Sequence, residues 1–92
     1  TTKTASSSAT ADATGKALIL ISSTVNSADV TTKFTNVSVP AIVCEQGLYD
    51  DMKMTAAGSG NAGNATGANS LVITNAAHPL AAGLFLRIAF TA

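Results

Sequence analysis

The residues whose types could do chemistry follow two apolar runs, residues 17–21 and 39–44. They are three hydroxyl residues and one carboxylate: Ser22, Ser23, Thr24 and Glu45. If both runs are parallel strands, their carboxyl ends meet at one edge of a sheet, where α/β proteins bind ligands. Hydroxyls beside a carboxylate can hydrogen-bond a sugar or another polar ligand. The competing interpretation, which we favour, is that these side chains cap helices and satisfy loop amides.

A second polar group, Asp50, Asp51 and His78, has the residue types that bind a hard or borderline cation. Asp50 and Asp51 fit equally well as the acidic first turn of a helix, which the helix dipole favours. His78 precedes Pro79 and is expected to be a turn residue. Glu45 with His78 could do acid–base chemistry, but no spacing in the sequence brings them together. We predict no catalytic residue, no cofactor and no metal, and keep Asp50, Asp51 and His78 as the residues to test for a cation.

Cys44 is the only cysteine, so the chain has no internal disulfide. Because it ends an apolar run, we predict a small buried residue of a strand, with an intermolecular disulfide or a thiolate ligand as alternatives. No Ser-His-Asp order with a nucleophile elbow is present, and the glycines between residues 58 and 67 lack the lysine of a phosphate loop. These observations favour a protein that is not an enzyme.

The composition limits both the core and the partners. Alanine supplies 18 of the residues behind a hydrophobic fraction of 47%, whereas Leu, Ile, Val and Phe make up 23% of the 92 residues. Charged residues account for 11%, against roughly 25% in ordinary soluble domains. A surface of Thr, Ser, Asn, Ala and Gly is typical of secreted bacterial proteins and assembly subunits. Zero net charge disfavours nucleic-acid binding, and no apolar run is long enough to span a membrane.

Hydrophobic periodicity predicts the elements that position these residues. Run 17–21 is too short for a helix and lacks polar alternation, so we expect a central parallel strand covered on both faces, and the same for run 39–44. Between them, residues 27–36 fit a short helix with Val30, Phe34 and Val37 facing inward. Residues 47–54 fit a second short helix or turn with three inward side chains: Leu48, Tyr49 and Met52.

The remaining segments complete an α/β pattern. Residues 55–69 are a loop, residues 71–73 and 84–90 fit strands, and a turn and short helix between them end near Gly83. Residues 1–16 form a polar N-terminal arm, either a linker or an edge strand, in which residues 8–14 could hold one helical turn. Residues 17–92 then form one α/β domain with a parallel core and a differently paired edge.

Four segments in series resemble a known family. They are residues 21–30 (ISSTVNSADV), 39–45 (VPAIVCE), 48–55 (LYDDMKMT) and 73–84 (ITNAAHPLAAGL). The series resembles a Rossmann-like, flavodoxin-topology domain of large secreted bacterial proteins, itself similar to the glutamine-amidotransferase-like group that includes the trehalose-utilisation (ThuA-like) proteins. The resemblance implies a small, mostly parallel sheet, truncated at both flanks, with an edge strand that a neighbouring subunit could share. Cys44 lacks the flanking glycines of that group's nucleophile, so the nucleophile role does not carry over.

Together these features favour a non-catalytic structural module or self-assembling subunit of an extracellular bacterial assembly, such as a filament, surface layer or adhesive stalk. The expected partners are copies of the chain itself, which would hold the polar arm and pair with an open sheet edge. Carbohydrate is a second candidate partner, and the expected location is extracellular or at the cell surface. The alternatives are a carbohydrate-binding module, with its site at residues 22–24 and Glu45, and a degenerate amidotransferase-like hydrolase.

Overall fold

The computed structural model describes residues 1–84 and 87–89. In chain order the elements are a 3₁₀ helix (Thr10–Ala13), strand β1 (Ile19–Ile21), helix α1 (Ser27–Val30), strand β2 (Ala41–Val43), a 3₁₀ helix (Gln46–Leu48), strand β3 (Ser70–Val72), a 3₁₀ helix (Pro79–Ala81) and strand β4 (Arg87–Ala89). Strands β1 and β2 have three residues each and are shorter than runs 17–21 and 39–44, whereas β3 has the predicted length of three residues but begins one residue earlier, at Ser70. Of the predicted strand 84–90, residues 85, 86 and 90 lie outside the described part.

Strands β1 and β2 pair in parallel, with Ile19 opposite Ala41 and Ile21 opposite Val43. The Ile19 N–H donates to the Pro40 carbonyl at 2.9 Å, and the Cys44 N–H donates to the Ile21 carbonyl at 2.9 Å. Helix α1 lies on the connection between the two strands, as parallel pairing requires a crossover. A Rossmann-like sheet needs further parallel strands beside this pair, so that topology stays a prediction.

Strands β3 and β4 form a separate antiparallel pair, which we call the ribbon. Leu71 and Val72 are neighbours on β3, and their side chains are 61% and 69% exposed. Because successive side chains of a strand point to opposite faces, neither face of β3 is covered. Within the described residues the ribbon is thus a sheet of its own, not an edge of the parallel pair.

One cluster of buried side chains makes the main core: Ala13, Ile21, Val30, Phe34, Val43 and Leu48. The inward positions predicted for Val30, Phe34 and Leu48 are confirmed, and Val37, Tyr49 and Met52 pack partly buried against the same cluster. The cluster lies on one face of the β1–β2 pair, which we call the inner face. Each helical turn before residue 49 contributes one residue to this cluster.

The helix predicted over residues 27–36 is much shorter in the structure. Helix α1 begins after Asn26, whose side chain accepts the Ala28 N–H at 3.1 Å. It ends at Val30, because the following Thr31 has a φ of 48°, which is incompatible with a continuing helix. The run from Val30 to Thr32 is β-branched at every position, and such residues lose side-chain freedom in a helix. A succession of turns then brings Phe34 to the core.

The predicted coverage of both faces of the parallel pair is wrong within the described residues. On the face opposite the core, which we call the outer face, Leu18, Leu20 and Ile42 are 52%, 67% and 51% exposed. The physical reason is that three helices all pack on the inner face. They are α1, the 3₁₀ helix before it (Thr10–Ala13) and the 3₁₀ helix after it (Gln46–Leu48). The described part of the chain supplies no further helix that covers the second face.

The N-terminal arm contains no strand in residues 1–16, but a 3₁₀ helix at Thr10–Ala13. It packs on the body, since the Thr10 hydroxyl donates to the Lys33 carbonyl at 2.7 Å and the Lys33 ammonium donates to the Ala5 carbonyl at 3.3 Å. Asp12 accepts the Ala9 N–H at 2.8 Å and pairs with the Lys3 ammonium at 3.0 Å. The hydrogen bond from the Ala9 N–H is the larger cause of a lowered pKa of Asp12, and the contact with Lys3 lowers this pKa further.

Candidate functional site

The hydroxyls after β1 hydrogen-bond within their own turn. The Ser22 hydroxyl oxygen accepts the Thr24 N–H at 3.2 Å and lies 2.9 Å from the Thr24 hydroxyl. Ser22, Ser23 and Thr24 are all exposed. This is the local role that competes with ligand binding, because a short polar side chain replaces a missing backbone partner at the strand end.

Glu45 has a comparable local role after β2. Its carboxylate accepts the Gly47 N–H at 3.0 Å and so caps the 3₁₀ helix Gln46–Leu48. The turn is tight, since a Cβ added at Gly47 would lie 2.7 Å from the Ser27 hydroxyl oxygen and 3.2 Å from the Glu45 carboxylate. Glu45 is half-buried and engaged by this turn.

The predicted polar site is divided between two depressions. Parallel pairing puts the carboxyl ends of β1 and β2 at one edge, as the site requires. Ser22, however, lines a groove beside β1, while Glu45 lines a shallow cavity of about 440 Å³ with Asp50 and Tyr49. No hydrogen bond joins the hydroxyls to Glu45 among the described residues. The four candidates share an edge of the sheet without lining one cavity.

Of the three residues to test for a cation, Asp50 and His78 have side chains with local hydrogen-bonding partners. The Asp50 carboxylate accepts the Asp51 N–H at 3.0 Å, and both residues follow the 3₁₀ helix Gln46–Leu48 instead of starting a helix, which corrects the first-turn interpretation. His78 accepts the Leu80 N–H on Nδ1 at 3.1 Å and caps the 3₁₀ helix that Pro79 begins. Across residues 1–84 and 87–89, no three side chains of His, Cys, Asp or Glu come together.

Cys44 is exposed, so the predicted burial of its side chain is wrong. The reason is the alternation of side chains along β2, in which Ile42 is exposed and Val43 is buried. Cys44 continues this alternation one residue beyond the strand and therefore faces outward. The apolar run contains both inward and outward positions, which composition alone does not separate.

The edge of β1 away from β2, which we call the free edge, pairs with no other strand of residues 1–84 and 87–89. Ile19 and Ile21 direct their backbone groups to β2, so the N–H and carbonyl of Leu20 between them point away from it. A groove of about 680 Å³ runs beside this edge. It is lined by all of β1, by none of β2, and on its far side by the first residues of the N-terminal arm.

The free edge is the feature that sequence reasoning did not assign to particular residues. The expectation of an open edge came from the small size of the chain, and it named no strand. The sequence signal that could have located the free edge is the presence of two apolar runs joined by one short helix. Such a unit forms a parallel pair, in which β1 has a neighbour on one side only. With two parallel strands, each strand has one unpaired side.

Comparisons with protein-family models, with curated proteins and with solved structures gave no match to this chain. The resemblance to a Rossmann-like, amidotransferase-like domain therefore stays a prediction. Among the described residues, no helix has the length and apolar character needed to cross a membrane.

Proposed function

We propose that this chain is a non-catalytic structural subunit that assembles with copies of itself in an extracellular bacterial assembly, such as a filament, surface layer or adhesive stalk. The observation that carries the proposal is the amount of exposed surface. The chain exposes 6761 Å². A folded monomer of its mass is expected to expose about 4,900 Å².

The size of the difference matches what an assembly subunit has to cover. The excess is roughly 1,900 Å², and a standard protein interface buries about 800 Å² on each partner. A subunit with one neighbour on each side covers about 1,600 Å² of its own surface. The radius of gyration, 15.2 Å, also exceeds the value of about 12 Å expected for a domain of this length.

The outer face has the chemistry of an interface between identical chains. Leu18, Leu20 and Ile42 are uncharged and half or more exposed on one side of the parallel pair. The formal net charge of the chain is zero, so copies do not repel one another at neutral pH.

An extracellular location and the Rossmann-like resemblance belong to the same proposal. The low charged fraction and the Thr, Ser and Asn content support the location. Catalysis is not part of the proposal, because Ser22, Glu45 and His78 hydrogen-bond within separate turns, and Ser22 and Glu45 line different depressions.

Sedimentation and electron microscopy test the proposal on the purified chain. Sedimentation equilibrium across a wide concentration range is expected to show mass rising with concentration, without a fixed stoichiometry. Negative-stain images of the concentrated protein are expected to show extended particles. A folded chain that remains monomeric at the highest soluble concentration would rule out self-assembly.

A further inference from the structure

We infer that the assembly grows by strand addition, with the ribbon of one copy pairing with the free edge of β1 on the next copy. The inference rests on the proposed self-assembly and specifies its contact. It commits to one occupant of the groove beside β1: strand β3 of a second copy of this chain.

The acceptor has the geometry that strand addition requires. The Leu20 N–H and carbonyl point into the open side of β1, so an incoming strand finds a donor and an acceptor in register. The groove of about 680 Å³ beside them is bounded across from β1 by the N-terminal arm, with Leu18 and Leu20 on the strand side. An extended segment lying there would pair its backbone and bury apolar side chains together.

The donor has the properties that make it seek a sheet. Leu71 and Val72 are 61% and 69% exposed on opposite faces of β3. An isolated two-stranded ribbon is at best marginally stable in water. Joining the parallel pair would turn two small sheets into one of four strands, which exceeds the three strands that a sheet with a hydrophobic face needs for independent stability.

The contact joins two different surfaces, so it does not close on itself. A copy that donates its ribbon still has an open β1 edge, and a copy that accepts a ribbon still has its own ribbon free. Head-to-tail contacts of this kind propagate as an open fibre unless their rotation closes a ring. The excess surface of roughly 1,900 Å² is large enough to include two interfaces of about 800 Å² on each chain.

Disulfide trapping between two marked chains tests the contact. Both chains carry Cys44→Ala; one adds Leu20→Cys, and the other adds either Leu71→Cys or Val72→Cys with a small tag that alters its mass. Because Leu71 and Val72 lie on opposite faces of β3, one of them shares a face with Leu20. Paired strands bring such residues within disulfide range, so we expect one mixed dimer to be at least about ten times more abundant than either homodimer.

The outcomes separate the contact from the assembly. A dominant disulfide between two Leu20→Cys chains would show symmetric packing of outer faces. That result would overturn strand addition but would still support self-assembly. An internal disulfide in a dilute chain carrying both Leu20→Cys and Leu71→Cys would show that the ribbon pairs with its own β1, which also overturns the inference. Monomeric sedimentation without any trapped dimer would overturn both proposals.

A proline substitution at Leu20 gives a second test, because it is expected to leave the fold of the chain intact. Leu20→Pro removes an N–H that points away from β2, so the β1–β2 ladder remains intact. Leu20→Ala removes the same side chain and keeps the N–H. We expect Leu20→Pro to abolish growth while Leu20→Ala only slows it, with both variants unfolding in urea at a similar midpoint. Equal growth of the two folded variants would show that the backbone of β1 is not the contact.

Discussion

Leu20 and Ile42 are register partners across the parallel pair, and their side chains stand 67% and 51% exposed on the same face. Two large aliphatic side chains exposed side by side leave apolar surface in water, and burying that surface would lower the free energy. Their inner-face neighbours Ile21 and Val43 are buried at 5% and 9% exposure. The parallel pair is therefore a sheet with a buried inner face and a largely exposed outer face.

A charge placed on the outer face should weaken self-association. Ile42→Lys puts an ammonium beside Leu20, its register partner, on the face that the incoming β3 would extend, and an apolar side chain of β3 packing there would partly remove that charge from water. We expect the apparent dissociation constant from sedimentation equilibrium to rise at least about tenfold, or 1.4 kcal/mol. Leu80→Lys is the matched control, because Leu80 is 89% exposed on a 3₁₀ helix away from the parallel pair. Equal effects of the two substitutions would argue against the outer face as an interface.

Truncation of Leu48 should cost the most stability of any single change in the core. Leu48 is the one fully buried large side chain among the described residues, at 0% exposure. Removing its branched end leaves a cavity, and such changes lower the free energy of unfolding by about 2–5 kcal/mol. Urea unfolding followed by circular dichroism measures the loss. Leu80→Ala, at an exposed position, is expected to change stability by less than about 0.5 kcal/mol.

A methyl group at Gly47 should be destabilising for steric reasons. The added Cβ would lie 2.7 Å from the Ser27 hydroxyl oxygen and 3.0 Å from the Ser27 Cβ. We expect Gly47→Ala to lower the unfolding free energy by about 1–3 kcal/mol. Gly60→Ala is the control, since nothing lies within 4 Å of its Cβ position. Combining Gly47→Ala with Ser27→Gly should recover most of the loss, and an additive double variant would refute the proposed clash.

The anchoring of the N-terminal arm should depend on pH through Asp12. Its pKa lies below the ordinary value of 3.8, first because the Ala9 N–H donates to the carboxylate and then because Lys3 pairs with it. A lowered carboxyl pKa stabilises the folded arm above pH 3.8, and that contribution is lost as the pH falls below this value through the lowered pKa. In an NMR titration, the Ala9 amide should shift together with the Asp12 carboxyl carbon. Asp12→Asn should abolish this shift of the Ala9 amide; its persistence would assign the titration to another group.

The sequence predicted the inner face well, because helical spacing and burial agree there. Val30, Phe34 and Leu48 occupy the inward positions that their periodicity indicates. The outer face could not be predicted in the same way. An unbroken aliphatic run indicates two covered faces, yet whether both are covered depends on how many elements the chain supplies, which is a property of the whole fold.

The polar candidates illustrate a different limit. Sequence order placed Ser22 and Glu45 at the ends of two parallel strands, and the structure has them there. Whether their side chains converge depends on the turn that follows each strand. The Ser22 hydroxyl turns to Thr24 and the Glu45 carboxylate turns to Gly47, over distances of only two residues. Short local hydrogen bonds of this kind compete with any shared site, and no spacing rule reveals which side prevails.

The position of the core along the chain has a consequence for biosynthesis. All six members of the main cluster lie between Ala13 and Leu48, while the ribbon begins at Ser70. Domains generally fold in the order in which a ribosome releases them. The parallel pair and its core can therefore form before the ribbon has left the ribosome. A nascent chain would therefore present the free edge of β1 before its own ribbon has emerged from the ribosome.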